Sequence, residues 1–102
     1  MTAPNGESAL TLTMTDAMDL VRYAVAQEAA ATRDGTLVAV QAHTALVRNL
    51  ARRIQNEVTS GVAGKYTAAD VALLRELAIK HGAGGSAERM AAALAARMPA
   101  AG

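Results

Sequence analysis

Arg48, Arg52 and Arg53 fall within six residues of one another, and Lys65 follows after a short gap. On a helix, Arg48 and Arg52 are one turn apart, share a face and repel by about 0.2–0.5 kcal/mol. Glu57 lies four residues beyond Arg53 and is its expected partner, which leaves Arg48 and Arg52 without a local counter-charge. A bound polyanion would convert that repulsion into attraction, so the chemistry suggested is contact with DNA phosphates. Asn49 and Asn56 lie on or near the same polar side and add hydrogen-bonding capacity. The plain alternative is a solvated helix face. No aromatic residues interleave with these cations, which argues against a base-stacking single-strand binder.

Other candidate chemistry is thin. His43 falls beside an apolar helical stripe and reads as a packing or hydrogen-bonded residue, while His81 sits in a basic last turn, where its charged form favours the helix dipole. The stretch Gly61-Val-Ala-Gly64-Lys65-Tyr66 resembles a phosphate loop only superficially. Its glycines are too close, Tyr replaces the Ser or Thr, and no strand precedes it. Gly82, Gly84 and Gly85 fail as a dinucleotide fingerprint for want of a strand. There is no Cys, hence no thiol chemistry and no disulfide. No catalytic, cofactor-binding or metal-ligating residue is assigned, and no enzyme activity is expected.

The elements that would position these side chains are helical. The composition is Ala-rich, and the chain has no Trp, no Phe and only Tyr23 and Tyr66 as aromatics. Residues 1–12 have no hydrophobic period and read as a flexible arm. Thr13-Met-Thr-Asp16 is a capping box opening a first helix, with Met14, Met18, Val21 and Val25 at helical spacing and a turn at Arg33-Asp34-Gly35. The second helix is the clearest. Leu37, Val40, Thr44, Val47, Ala51, Ile54 and Val58 alternate by three and four, and Ala39, His43, Leu46 and Leu50 form a second row. After a loop, Thr67 and Asp70 box a third helix whose Val71, Leu74, Leu77 and Ala78 share a face and which ends at Lys80-His81-Gly82. Gly82–Gly85 reads as a hinge, and Ser86 as the cap of a last helix carrying Met90, Ala93, Leu94 and Met98. Met14, Met18, Met90 and Met98 all read as core filler.

The expected fold is therefore all-α. The first two helices form an antiparallel hairpin, helix three packs across it, and residues 13–82 make the core domain, with 83–102 as hinge and C-terminal helix. The stripe of helix two is wider than one hairpin partner and a short helix should cover. Leu37, Val40, Leu46, Val47, Leu50 and Ile54 are accordingly expected at an interface between identical subunits. The start lacks a basic region followed by an apolar run, and no apolar stretch approaches the roughly 20 residues that span a bilayer, so a cytoplasmic protein without membrane contact is expected.

The segment Tyr66–Gly82, YTAADVALLRELAIKHG, resembles a helix of the DNA-packaging terminase small subunits of short-tailed bacteriophages. The likeness extends from Leu46, through LVRNLARRIQNEVTSG, to Gly82; Thr67, Ala68, Ala69, Asp70, Arg75, Leu77 and Gly82 carry it, although Leu77 stands where an aromatic is usual. The resemblance implies a non-enzymatic helical protein without cofactor or small-molecule substrate. It implies assembly into a ring-like homo-oligomer, engagement of duplex DNA by Arg48, Arg52, Arg53 and Lys65, and regulation of the large motor and nuclease subunit. The alternatives are a small phage-encoded helical regulator or inhibitor acting by protein contact, and a structural assembly protein.

Overall fold

The computed structural model describes residues 11–80 and 85–98. Their regular structure is entirely helical: α1 (Met14–Asp34), α2 (Leu37–Ser60), α3 (Ala68–Lys80) and α4 (Gly85–Arg97). The expected arm up to residue 10, His81, the hinge over 82–84 and the tail from 99 lie outside the described residues.

Local chemistry sets the boundaries. Thr13 is extended, its hydroxyl accepts the Asp16 N–H at 3.2 Å, and the Asp16 carboxylate accepts the Thr13 N–H at 2.9 Å. Both halves of this capping box satisfy backbone donors that the first turn leaves orphaned. The second box is also closed, with Thr67 N–H to Asp70 Oδ2 at 2.8 Å and Asp70 N–H to Thr67 Oγ1 at 3.4 Å. α1 stops at Gly35, where φ is +73°, and α2 stops at Gly61, where φ is +75°. Both are left-handed positions that glycine adopts without a Cβ penalty. Gly35 and Thr36 alone connect α1 to α2.

α1 packs along α2, and α3 along α4, with a smaller contact between α1 and α4. All four helices meet in one core. It contains Leu12, then Ala17, Leu20 and Ala24 of α1, Val47, Leu50, Ala51 and Ile54 of α2, Val71, Leu74 and Leu77 of α3, and Met90, Ala93 and Leu94 of α4. The largest fully buried side chains are aliphatic, so burial is spread over many small contributions rather than a few large rings.

Three expectations change. The buried seam of α1 is Ala17, Leu20, Ala24 and Ala31, whereas Met14, Met18 and Val25 are exposed. Alanine fills the side of a helix pressed against a neighbour because it demands little room, and the longer methionines are left outside. The main neighbour of α3 is α4, although Val71, Leu74 and Leu77 do enter the shared core. Leu12 and the α4 face are buried in the same cluster as residues of α1, α2 and α3. Ser86 lies inside α4 rather than capping it, and its hydroxyl donates to Asp16 Oδ1 at 3.1 Å.

Two leucines on α2 separate fold from surface. Leu50 is fully buried and Leu46 is 61% exposed. Leu50→Glu should cost at least about 3 kcal/mol, the value of a lost core leucine before the buried charge is counted. Leu46→Glu should stay within about 0.5 kcal/mol. Urea denaturation followed by circular dichroism distinguishes them; equal losses would contradict this division of α2.

Candidate interaction surface

The cations singled out by the sequence are treated very differently by the fold. Arg48 meets Glu28 of α1 through two bonds, Nη2 to Oε1 at 2.6 Å and Nε to Oε2 at 3.2 Å. Arg53 meets Asp70 through two bonds of 2.8 Å, and also donates to Asn49 Oδ1 at 2.9 Å and to the Lys65 carbonyl at 3.2 Å. The expected pairing of Arg53 with Glu57 is not made. Glu57 instead receives both terminal nitrogens of Arg97, at 2.7 and 2.8 Å. Arg52 and Lys65 are exposed and form no ion pair among the described residues. Local spacing missed these partners because Glu28 is 20 residues from Arg48, Asp70 is 17 from Arg53, and Arg97 is 40 from Glu57.

Two further sites tie loops and helix ends together. Asp16 is buried at the start of α1 and is held by Arg89 of α4, whose other terminal nitrogen donates to the Thr11 carbonyl at 2.9 Å. Tyr66 donates to Glu57 Oε1 at 3.1 Å, and the guanidiniums of Arg53 and Arg97 lie 5.7 and 5.8 Å from its ring centre. The Gly64 N–H donates to the same Glu57 oxygen at 2.9 Å. A Cβ at Gly64 would meet the Tyr66 hydroxyl oxygen at 2.9 Å, so this glycine serves close packing of the loop. His43 takes part in a 2.9 Å hydrogen bond with the Tyr23 hydroxyl, its rings meeting edge to face, which agrees with its reading as a hydrogen-bonded packing residue.

These contacts shift the titrations in consistent directions. Burial pushes Asp16 up, but the hydrogen bonds from Arg89 and Thr13 together outweigh it and leave the carboxyl below its ordinary value. The Arg53 hydrogen bond lowers Asp70, and the Arg97 hydrogen bond lowers Glu57. Burial, reinforced by Glu57, pushes Tyr66 up to about 12, so its hydroxyl remains a donor through neutral pH.

The interface residues expected on α2 divide in the same way. Val47, Leu50 and Ile54 lie inside the chain's own core, Leu37 and Val40 are half-buried, and Leu46 faces outward. Leu46 borders an open groove of about 620 Å³ between α2 and α3. His43, Ala69, Ala72, Leu73, Glu76 and Ile79 complete its walls. Ile79 is 83% exposed, close to the 85% of Val38 on α2.

Comparison with known protein families, with characterised proteins and with solved structures finds no match to this chain. No helix among the described residues is long and apolar enough to cross a membrane. The surface thus offers two features: four exposed cations outside any ion pair among the described residues, Arg33, Arg52, Lys65 and Arg75, and an apolar groove.

The lowered carboxylates make a pH prediction. A group whose folded pKa lies below its unfolded one stabilises the fold fully above the unfolded value, and the contribution is lost as pH falls through the folded value. With ordinary values of 3.8 for Asp16 and Asp70 and 4.5 for Glu57, the loss should begin near 4.5 and deepen below 3.8. Arg89→Ala should cost about 1–3 kcal/mol at neutral pH, because it leaves the Asp16 carboxylate buried without its guanidinium. Thermal unfolding across pH measures both. A melting temperature that stays flat down to about pH 3, or an unchanged Arg89→Ala variant, would count against these pairs as fastenings.

Proposed function

We propose that this chain is a non-enzymatic assembly protein that works as a homo-oligomer through macromolecular contact. The observation that carries the reading is the groove between α2 and α3, where Leu46 and Ile79 stand in solvent although the chain has ample alanine for such places. Exposed apolar walls of this kind mark contact with another macromolecule.

The specific form of this role is the one implied by the terminase small-subunit resemblance: an antiparallel helical hairpin with its shorter helices, assembled as a ring that engages duplex DNA and hands it to a large motor subunit. Of the cations that the resemblance assigns to DNA, Arg52 and Lys65 support it, being exposed and outside any ion pair among the described residues. Arg48 is a reserve. Its carboxylate partner is on the surface, where an ion pair is worth little and a phosphate can replace it. Arg53 is committed to Asp70 and the Lys65 carbonyl and contributes by positioning Lys65 rather than by binding. A regulator acting purely through protein contact is the second reading, favoured by the number of arginines already matched by acids.

Duplex binding at low and moderate salt decides between them. In the packaging form, Arg52→Ala with Lys65→Ala should weaken binding and lower the salt slope by about 1 per lost phosphate contact. Glu28→Gln, which frees Arg48, should strengthen binding. No duplex binding by the wild-type chain at low salt would leave protein contact as the function.

A further inference from the structure

We infer that the groove between α3 and α4 is a twofold contact between two copies of this chain, in which α3 of each copy lies over α4 of the other and Arg75 of each meets Glu88 of the other. This contact rests on the homo-oligomeric reading above and gives it a geometry. Arg75, Ala78 and Ile79 of α3 form one wall of the groove, which holds about 340 Å³, and Glu88, Ala91 and Ala92 of α4 form the other. Each wall is a charge followed three and four residues later by two apolar side chains, so each trio falls within about 100° of its helix surface. Arg75, Ile79, Glu88 and Ala92 are exposed. Neither Arg75 nor Glu88 belongs to an ion pair among the described residues.

The groove is its own electrostatic complement. A polyanion laid along it would meet Glu88, and a basic segment would meet Arg75, whereas a second copy offers each wall the opposite charge. α3 and α4 pack along one another with only residues 81–84 between them, so they run antiparallel. Arg75 stands six residues before this link and Glu88 four residues after it. At 1.5 Å per residue, the difference is about 3 Å along the helices, and the two charges are nearly level across the groove. A half-turn about an axis parallel to the helices sets α3 over the second copy's α4 and opposes unlike charges at both ends of the contact. A half-turn about an axis across the helices would instead set α3 on α3, with Arg75 towards Arg75. Charge therefore selects the first arrangement. Such an isologous contact closes on itself as a dimer, so a larger assembly needs a second, different surface, and the groove between α2 and α3 supplies one.

The test is a charge exchange in the full chain, read by native mass spectrometry and sedimentation velocity, with circular dichroism confirming helix content. Arg75→Glu alone and Glu88→Arg alone each place two like-charge pairs in the contact and should weaken self-association by about tenfold or more. An equimolar mixture of the two variants should form a one-to-one heterodimer in excess of either homodimer, because both pairs then oppose unlike charges. The two substitutions together in one chain should restore the homodimer. A pairing of Arg75 with Glu88 inside one chain would give the single variants no such preference for each other. If wild type assembles and the single variants assemble equally well, or the mixture yields no excess of heterodimer, the twofold contact is overturned while self-assembly stands. A wild-type chain that remains a monomer at about 50 µM overturns both.

Discussion

Two aspartates hold this fold in register. Asp16 and Asp70 each close a capping box at the start of a helix, and each also receives an arginine from elsewhere in the chain: Arg89 of α4 for Asp16 and Arg53 of α2 for Asp70. One carboxylate therefore does two jobs. It satisfies backbone donors that a helix start leaves orphaned, and it fixes where that start sits against a distant helix. Arg97 and Glu57 join α4 to the end of α2 through two bonds, as Arg53 and Asp70 do, with Tyr66 and Gly64 of the loop gathered onto the same carboxylate.

The composition explains why such fastenings matter. Apolar burial is non-directional. A core of alanine, leucine, valine and methionine has no large ring whose shape would select one rotation of a helix over another. Bidentate arginine–carboxylate contacts carry that geometric information, because a planar fork fits a carboxylate in few orientations. α4 illustrates the division. Met90 and Leu94 supply its burial, while Arg89 and Arg97 attach it to the N-terminal end of α1 and to the C-terminal end of α2.

The same economy shapes the surface. Arg48, Arg53, Arg89 and Arg97 are drawn into contacts between elements, and the outside keeps an apolar groove. The cations the fold leaves outside any ion pair among the described residues are Arg33, Arg52, Lys65 and Arg75, while Arg48 is held by the half-buried carboxylate of Glu28.

Local physics determined the helices. Capping boxes at Thr13–Asp16 and Thr67–Asp70, terminating glycines at 35 and 61, and the apolar alternation of α2 all depend on residues within a turn of one another, so they are legible from the chain alone. The Tyr23–His43 contact was legible only in part: the position of His43 beside an apolar stripe indicated packing, but not its partner. What the tertiary structure decided is which face each helix buries and which charges meet. Met18 and Ala17 are neighbours in sequence, and only the approach of α2 determines that the alanine goes inside. Arg53 has an acid four residues away and takes one 17 residues away, because α3 delivers Asp70 in two-bonded geometry while the loop and α4 claim Glu57. Spacing along a helix measures proximity only within that helix; contacts between helices depend on how their surfaces fit.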